Sequence, residues 1–243
     1  MNYYFAADTH LGLSAVGDAR AREQHFVRWL DTIKNDAAGV FLLGDIFDFW
    51  CEYKTAVPRG FTRTLGKLAE LSDNGIPVHF FPGNHDLWIF DYLPAETGVI
   101  VHHAPLEITL GQQNFYLAHG DFTGQLAKGY RRLRWVFTNR VFQKCFLAIH
   151  PRWGVAFAHR WSRHSRLSKG IAIPFKSGEE PIVRFAEQYS RSHPVHHFIF
   201  GHFHTPVQWP AGEQAQLTIL GEWLQGCEYA VFDGEKVTLE KWK

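Results

Sequence analysis

The sequence predicts an α/β fold with a parallel sheet. Three short apolar runs, at 3–7, 39–43 and 78–81, are typical of buried strands, and the segments 19–35 and 61–73 between them repeat apolar residues at helical spacing. Strands that alternate with helices form βαβ units with right-handed crossovers. Open α/β sheets bind ligands beyond the carboxyl ends of their strands, so the residues that follow these strands are the first candidates for a functional site.

The two helices are predicted from the spacing of their apolar side chains. Residues three or four positions apart share one face of a helix, and both segments have apolar residues at such positions. These residues are Phe26, Val27, Leu30 and Ile33 in the first segment, and Phe61, Leu65, Leu68, Ala69 and Leu71 in the second. Both segments therefore predict amphipathic helices.

Strands of a different kind are predicted in the middle of the chain. The segments 99–103, 106–110 and 114–118 lie close together and are separated by Pro105 and Gly111. Apolar runs joined by such short breaks predict a meander or a hairpin.

The last part of the chain predicts one helix followed by strands. The helix covers 182–192, and a buried strand follows at 197–200. The segments 215–220, 227–232 and 236–241 predict three antiparallel strands.

The composition predicts a soluble, cytoplasmic protein. Hydrophobic residues make up 46% of the 243 residues, close to the ordinary globular share. No apolar stretch reaches the ~20 residues needed to cross a bilayer, and the N-terminus does not resemble a signal peptide. Cys51, Cys145 and Cys227 are widely spaced, which predicts reduced side chains rather than disulfides or a zinc–thiolate site.

The charge is distributed unevenly, although the net charge is only +1. Residues 124–176 contain twelve Lys or Arg and no Asp or Glu, whereas the rest of the chain contains thirteen basic and twenty-four acidic residues. Within this basic segment, residues 126–149 predict an amphipathic helix, and further aromatic and basic residues follow. Such a segment is expected to face an anionic lipid surface or a nucleic acid. The alternative is a helical subdomain whose aromatic residues form a small core of their own.

Five short polar motifs stand at or near the ends of predicted strands. They are Asp8-Thr-His10, Gly44-Asp45, Gly83-Asn84-His85-Asp86, His119-Gly-Asp121 and Gly201-His202-Phe-His204. The carboxyl ends of strands in one sheet meet at a common edge, so motifs that are scattered in sequence are expected to converge in space.

The residue types in these motifs predict a dinuclear metal site. Asp8 and His10 are two positions apart and can meet one ion, while the two oxygens of Asp45 can bridge two ions. Oxygen and nitrogen ligands without thiolates suit Mn²⁺, Fe²⁺, Zn²⁺ or Co²⁺. Two ions ~3.5–4 Å apart would acidify a bridging water and hold the oxygens of an in-line phosphoryl displacement. The sequence therefore predicts a two-metal phosphoesterase.

The five motifs, in this order, resemble the calcineurin-like metallophosphoesterase superfamily. The resemblance implies a four-layer α/β/β/α sandwich, with a core formed by 1–123 and 177–243 and a helical, basic insertion at 124–176. It also implies two sets of metal ligands that share one carboxylate. One set is Asp8, His10, Asp45 and His204, and the other is Asp45, Asn84, His119 and His202.

The resemblance also implies roles next to the metals. His85 is in the position that contacts the scissile phosphate or protonates the leaving group, with Asn84 beside it. Asp86 is expected to hold His85 in orientation, as the carboxylate partner of a catalytic histidine does. Asp121 is expected to support the loop of His119 from behind the ligands.

A closer resemblance is to the UDP-2,3-diacylglucosamine diphosphatases of lipid A biosynthesis. The shared features are Asp-x-His-Leu at 8–11, Gly-Asp-Ile-Phe-Asp-Phe-Trp at 44–50, the basic insertion after His-Gly-Asp, and Gly-His-x-His-x-Pro at 201–206. The chain departs from well-studied members at His85, where they have Arg. The wider superfamily has His at this position, which leaves room for a different phosphoester specificity.

This resemblance implies a substrate, cofactors and a location. The expected reaction cleaves UDP-2,3-diacylglucosamine to UMP and 2,3-diacylglucosamine 1-phosphate, with two divalent ions, Mn²⁺ being the expected one. The insertion would form a lid over the acyl chains, with Tyr130, Arg163 and Lys169 in contact with substrate. The protein would be peripheral on the inner face of a membrane, and no nucleic acid partner is expected.

Two other interpretations stay open at this point. A nuclease or nucleotide phosphodiesterase on the same scaffold would use the basic segment to bind phosphates, and its affinity for nucleic acid would fall with salt. A non-catalytic scaffold would bind metal without turnover. The second is disfavoured because every expected ligand position is filled.

Overall fold

The computed structural model describes residues 1–121, 123, 128–154, 156, 175, 176 and 178–243. The strands are β1 Asn2–Ala6, β2 Ala37–Leu42, β3 Val78–Phe80, β4 Ile100–Val101, β5 Leu106–Leu110, β6 Gln113–Ala118, β7 His197–Phe200, β8 Val207–Pro210, β9 Gln216–Ile219, β10 Glu228–Phe232 and β11 Val237–Lys241. The helices are α1 Ala19–Ile33, α2 Thr62–Asp73, α3 Tyr92–Thr97, α4 Lys128–Thr138, α5 Arg140–Leu147 and, by our numbering, α6 Pro181–Ser190.

Two sheets form the centre of the molecule. One has six strands in the order β11-β10-β1-β2-β3-β4, and the other has five in the order β5-β6-β7-β9-β8. In the first sheet β1 to β4 run parallel, and in the second β6, β7 and β9 run parallel. The predicted parallel α/β fold is confirmed, and the parallel strands of each sheet bring their carboxyl ends to one edge.

Three layers of apolar side chains separate four layers of secondary structure. One core cluster packs α1 and α2 on the first sheet, and it includes Trp29 and Leu68. A second cluster lies between the two sheets, where Phe41 and Phe115 are fully or almost fully buried. A third packs α6 on the second sheet through residues such as Val183. The implied α/β/β/α sandwich is therefore present.

Strands β1 and β2 show why one sheet can belong to two cores. Side chains alternate between the faces of a strand, so Tyr4 points to the helix-covered layer and Phe5 to the layer between the sheets. Leu42 and Phe41 divide in the same way on β2. These strands consequently have continuous apolar runs, as expected where both faces are buried.

Two of the predicted strand groupings are wrong. Residues 99–103 do not belong to a hairpin with 106–110, because β4 pairs with β3 in the first sheet while β5 and β6 form a hairpin in the second. The tail does not form one three-stranded antiparallel unit. Strand β9 runs parallel to β7, and only β10 and β11 form an antiparallel pair with each other.

The described part of the insertion is helical but does not form one continuous helix. The segment 126–149 was expected to be a single helix, whereas α4 ends at Thr138 and α5 starts at Arg140. Asn139 separates them, because its side chain accepts hydrogen bonds from the backbone N–H of Val141 and Phe142 and so caps α5. Among the described helices, none combines the length and apolarity needed to cross a membrane. The predicted domain boundaries at 123/124 and 176/177 stay a prediction.

Candidate metal centre

Five of the predicted metal ligands have a backbone conformation that ordinary residues rarely adopt. The φ angles are 55° at Asp8, 43° at His10, 54° at Asp45, 70° at His202 and 57° at His204. Over the described residues, only two other non-glycine positions have positive φ. Such backbone strain persists where surrounding structure enforces it, and it concentrates at functional sites. The motif loops are thus held in sharp turns just beyond the strand ends.

Two glycines let these loops approach one another closely. A Cβ atom on Gly44 would lie 2.5 Å from Nδ1 of His119. A side chain on Gly83 would overlap the carboxylate of Asp45. Larger residues at either position would therefore push the predicted ligands apart.

Asp8, His10 and His204 form the first cluster of possible ligand atoms. Oδ1 of Asp8 lies 3.2 Å from Nε2 of His204 and 3.8 Å from Nε2 of His10, and the two nitrogen atoms are 3.2 Å apart. Oδ1 of Asp8 is buried and accepts no hydrogen bond from the described residues. One carboxylate oxygen and two ring nitrogens therefore converge, which is a suitable ligand set for a divalent transition metal.

Asp45, His119 and His202 form the second cluster. Oδ2 of Asp45 lies 3.5 Å from Nε2 of His119 and 4.0 Å from Nε2 of His10, which belongs to the first cluster. Oδ1 of Asn84 lies 3.4 Å from the same nitrogen of His119. Asp45 thus lies between the two clusters, where a bridging carboxylate would be expected.

The hydrogen bonding of His119 indicates which of its nitrogens can bind a cation. Nδ1 lies 2.7 Å from the carbonyl oxygen of Leu43. A carbonyl only accepts, so Nδ1 carries the hydrogen and Nε2 presents a lone pair in the neutral ring. The oxygens of Asp45 and Asn84 near Nε2 are acceptors as well. Three acceptor atoms facing one another need either a proton or a cation between them, so this pocket fits a metal ion.

The pKa shifts of His119, Asp45 and His202 also indicate that the second cluster fits a metal ion. Burial lowers the pKa of His119, but the carboxylate of Asp45 outweighs burial and raises that pKa well above its usual value. Burial raises the pKa of Asp45, but the charges of His119 and His85 outweigh it and hold that pKa well below its usual value. Burial, followed by the charge of His119, lowers the pKa of His202 to about 4, so this ring is neutral at neutral pH and can act as a ligand.

His85 lies at the edge of the two clusters and contacts Asp48 rather than Asp86. Nδ1 of His85 lies 2.9 Å from the carbonyl oxygen of Asp48 and 3.8 Å from Oδ1 of the same residue. Nδ1 of His10 is also 3.8 Å from Oδ1 of Asp48. Asp48 is buried and was not selected from the sequence. Its position three residues after Asp45, in Gly44-Asp-Ile-Phe-Asp48, was the signal that could have identified it.

The predicted contact between Asp86 and the ring of His85 is absent, although both residues are described. Asp86 is fully buried, and its carboxylate accepts hydrogen bonds from four backbone N–H groups, those of Gly83, Asp45, Ile46 and Phe47. Burial, followed by the charge of Asp45, raises the pKa of Asp86 to about 7. Asp86 therefore joins two motif loops to each other, and the expectation that it orients His85 is corrected.

Asp121 lies beside the second cluster, and it was predicted to support the loop of His119. It is 6% exposed, and its Oδ2 accepts no hydrogen bond from the described residues. NH1 of Arg134, from α4, lies 3.5 Å from this oxygen. Burial raises the pKa of Asp121 to about 7.

A comparison with protein families places these motifs in a known context. The model for the family described as Calcineurin-like phosphoesterase matches residues 1–206, which include all five motifs. The chain belongs to the calcineurin-like phosphoesterase family. The prediction of a phosphoester hydrolase is confirmed by this membership.

The similarity of this phosphoesterase to its relatives extends over nearly its whole length. A protein of Porphyromonas gingivalis named UDP-2,3-diacylglucosamine hydrolase is 40% identical over 98% of this chain and 96% of the relative. A protein of Shewanella baltica with the same name is 26% identical over 99% of this chain and 97% of the relative.

A solved structure supports the fold of the phosphoesterase. A dimetal phosphatase from Danio rerio superimposes with a TM-score of 0.51 at 14% identity, and the match covers 99% of this chain and 95% of that one. The two proteins therefore share the sandwich fold.

The described residues of the phosphoesterase contain all of the predicted metal and catalytic side chains but not the predicted substrate contacts. Arg163 and Lys169 lie outside the described residues, and so does the side chain of Tyr130. Their contact with substrate, and the roles of the individual ligands, stay predictions.

Proposed function

We propose that this phosphoesterase cleaves the pyrophosphate of UDP-2,3-diacylglucosamine into UMP and 2,3-diacylglucosamine 1-phosphate, a step of lipid A biosynthesis. The observation that carries the proposal is the 40% identity to the P. gingivalis hydrolase of that name over 98% of this chain. At that coverage the similarity includes the basic insertion as well as the core. A common scaffold alone would not require the insertion to be shared.

Two divalent ions, with Mn²⁺ as the expected one, would be held by the two clusters. Asp8, His10 and His204 would bind the first, and Asn84, His119 and His202 the second, with Asp45 shared between them. Support comes from the oxygens of Asp45 and Asn84, which converge on Nε2 of His119 and need a proton or a cation there, and from the buried Oδ1 of Asp8, which accepts no hydrogen bond from the described residues. When bound, such ions supply positive charge to the phosphoryl oxygens and acidify the attacking water.

His85 is proposed to act on the leaving group. Its Nδ1 is held by the carbonyl oxygen of Asp48, so this nitrogen carries a hydrogen and Nε2 is the position at which a proton is exchanged. The side chain is 21% exposed, whereas five of the seven predicted metal ligands have side chains that are 10% exposed or less, namely Asp8, His10, Asp45, His119 and His204. A partly exposed, oriented imidazole can contact a phosphate and donate a proton to the departing oxygen.

The insertion is proposed to bind the lipid end of the substrate and the membrane surface. Its described residues expose large apolar side chains together with Arg140, Lys144 and Arg152. The apolar residues are Trp135, Val136, Val141, Phe142, Ile149 and Trp153. Apolar surface flanked by basic residues favours a bilayer that contains anionic lipids. Tyr130, Arg163 and Lys169 are the proposed substrate contacts, and the inner face of a membrane is the proposed location.

The proposal is tested by incubating the purified protein with Mn²⁺ and three substrates: UDP-2,3-diacylglucosamine in detergent, bis-p-nitrophenyl phosphate and single-stranded DNA. We expect release of UMP from the lipid nucleotide, with loss of the reaction after chelation and its return with added Mn²⁺. Turnover of only the small ester or of DNA would retain the phosphoesterase and overturn the lipid substrate. Residue 85 would then be the first position to substitute.

A further inference from the structure

The insertion is held on the core by the same two loops that carry part of the proposed metal centre. Trp88 follows Asn84 and His85 in one loop, and its indole Nε1 donates a hydrogen bond of 2.8 Å to the carbonyl oxygen of Phe137 in α4. The ring of Trp88 also packs against Phe146 in α5, with 4.7 Å between ring centroids. Helices α4 and α5 therefore rest directly on the loop that follows His85.

The second loop contacts α4 through an ion pair. Asp121, two residues after His119, has Oδ2 at 3.5 Å from NH1 of Arg134. The side chain of Asp121 is 5% exposed and that of Arg134 is 32% exposed. Oδ2 of Asp121 accepts no hydrogen bond from the described residues. Two positive charges therefore act on this buried carboxylate, that of His119 from the core and that of Arg134 from the insertion.

The two contacts define which side of α4 faces the core. Arg134 and Phe137 are three residues apart, so they lie on one side of the helix. Arg132 and Val136 lie on the opposite side by the same geometry, and both are exposed. One hydrogen bond and one ion pair therefore join this side of α4 to the two loops that carry part of the proposed metal centre.

We propose that the Asp121–Arg134 ion pair positions the insertion over the metal-binding residues, and that the preference for a substrate that spans both core and insertion depends on it. Arg134 is a positioning residue in this proposal and acts through Asp121. The proposal rests on the proposed function, because the large substrate is the lipid nucleotide.

The physical reason lies in the unequal burial of the two partners. Removal of Arg134 takes away the cation that α4 supplies to the buried Asp121, which favours entry of solvent at Asp121 and displacement of α4. Both changes weaken the contact between α4 and the loop that carries His119. A small ester needs only the metal-binding residues, whereas a lipid nucleotide also needs the insertion in place. The larger substrate should therefore suffer more.

The test compares Arg134→Met and Arg134→Lys with Arg132→Met, a matched control on the opposite side of α4. The values of kcat and KM are measured with Mn²⁺ for UDP-2,3-diacylglucosamine in detergent and for bis-p-nitrophenyl phosphate, together with bound metal. We expect Arg134→Met to lower the ratio of the two kcat/KM values, lipid nucleotide over small ester, by roughly tenfold. Arg134→Lys should restore much of the ratio because it keeps the charge, and Arg132→Met should leave the ratio within about twofold. An equal loss on both substrates, or no loss, would overturn the proposal.

Hydrogen–deuterium exchange of the backbone amides in 128–147 provides a readout that does not depend on any substrate. Exchange in this range should be faster in Arg134→Met than in wild type or Arg132→Met, since local opening increases exchange. Unchanged exchange would show that the pair does not hold the insertion. If the wild type leaves the lipid nucleotide intact, the proposed function fails, and the exchange result still decides whether the ion pair positions α4.

Discussion

Nδ1 of His85 lies 2.9 Å from the carbonyl oxygen of Asp48, across 37 residues of chain. A backbone carbonyl cannot donate a hydrogen, so this contact determines the tautomer of His85 without any charged partner. Oδ1 of Asp48 lies 3.8 Å away and is placed to stabilise the ring once it is protonated.

Replacement of His85 by Ala should lower kcat more than it lowers metal content. Loss of a general acid typically reduces turnover by about 10²–10⁴-fold. His85 is not among the proposed ligands of either cluster, so bound Mn²⁺ should remain near the wild-type stoichiometry. Steady-state kinetics and elemental analysis of the same preparation check both parts. His103→Ala, at an exposed histidine, is the control, and equal loss of metal in His85→Ala would contradict the proposed role.

Replacement of Asp45 by Ala should abolish metal binding and activity together. Asp45 lies 3.5 Å from Nε2 of His119 and 4.0 Å from Nε2 of His10, so one substitution affects both clusters. Metal content and turnover are measured after dialysis against Mn²⁺, with Asp73→Asn on an exposed residue as the control. Full metal occupancy in the Asp45→Ala protein would show that the two clusters do not share this carboxylate.

Replacement of Asp86 by Ala should destabilise the protein. The substitution leaves the buried backbone N–H groups of Gly83, Asp45, Ile46 and Phe47 without their acceptor. Each buried donor that loses its partner costs about 1–3 kcal/mol, and relaxation offsets part of the sum. We expect the free energy of unfolding in urea to fall by about 2 kcal/mol or more. Asp91→Asn, at an exposed site, should change it by less than about 0.5 kcal/mol. An unchanged stability with reduced kcat would instead favour the original interpretation of Asp86 as a partner of His85.

His79 and His197 should each contribute a loss of stability as the pH falls from about 6.5 towards about 4, against an opposite contribution from Asp86 and Asp121, whose pKa values burial raises to about 7. Burial, followed by the charge of His102, lowers the pKa of His79 to about 4, and burial, followed by His196, lowers that of His197 to about 4. In the unfolded chain both rings take up protons near pH 6.5. At these two rings the unfolded state therefore binds more protons within this window, so their titration favours unfolding as the pH falls, with a slope of up to about 1.4 kcal/mol per pH unit for each ring.

Urea unfolding at several pH values, in the presence of a chelator, measures this slope. His197→Gln should reduce the slope because it removes one of the titrating groups, whereas His103→Gln should leave it unchanged. A slope that is the same in all three proteins would exclude His197 as a source of the pH dependence.

Exposed tryptophans of the insertion should determine binding to anionic vesicles. Trp135 is 59% exposed and Trp153 is 67% exposed, and basic residues accompany both on the described surface. Replacing both by Ala should weaken binding to phosphatidylglycerol-containing vesicles roughly tenfold, because interfacial binding scales with the apolar area that is buried. Co-sedimentation checks this, and Trp209→Ala, on strand β8 of the core, is the matched control. Equal binding by the double variant and the control would remove the insertion from the membrane contact.

The sequence by itself determined the fold class and the chemistry at the strand ends. Both are local properties. The alternation of strands and helices follows from side-chain periodicity within each segment. Asp8, Asp45, His119 and His202 each follow a buried strand within a few residues, so the sequence alone shows that these residues lie at strand ends. The resemblance to a family added the four-layer arrangement.

The tertiary structure alone decided which distant groups meet. The carboxylate of Asp86 could have turned to the adjacent His85, but four buried backbone N–H groups, three of them some forty residues away, outcompete one imidazole. Asp48 became a neighbour of His85, β4 joined β3, and β9 joined β7, because hydrogen bonds and packing between remote segments have no counterpart in local spacing. The same reason explains why the Asp121–Arg134 contact, which joins the core to the insertion, could be found only in three dimensions.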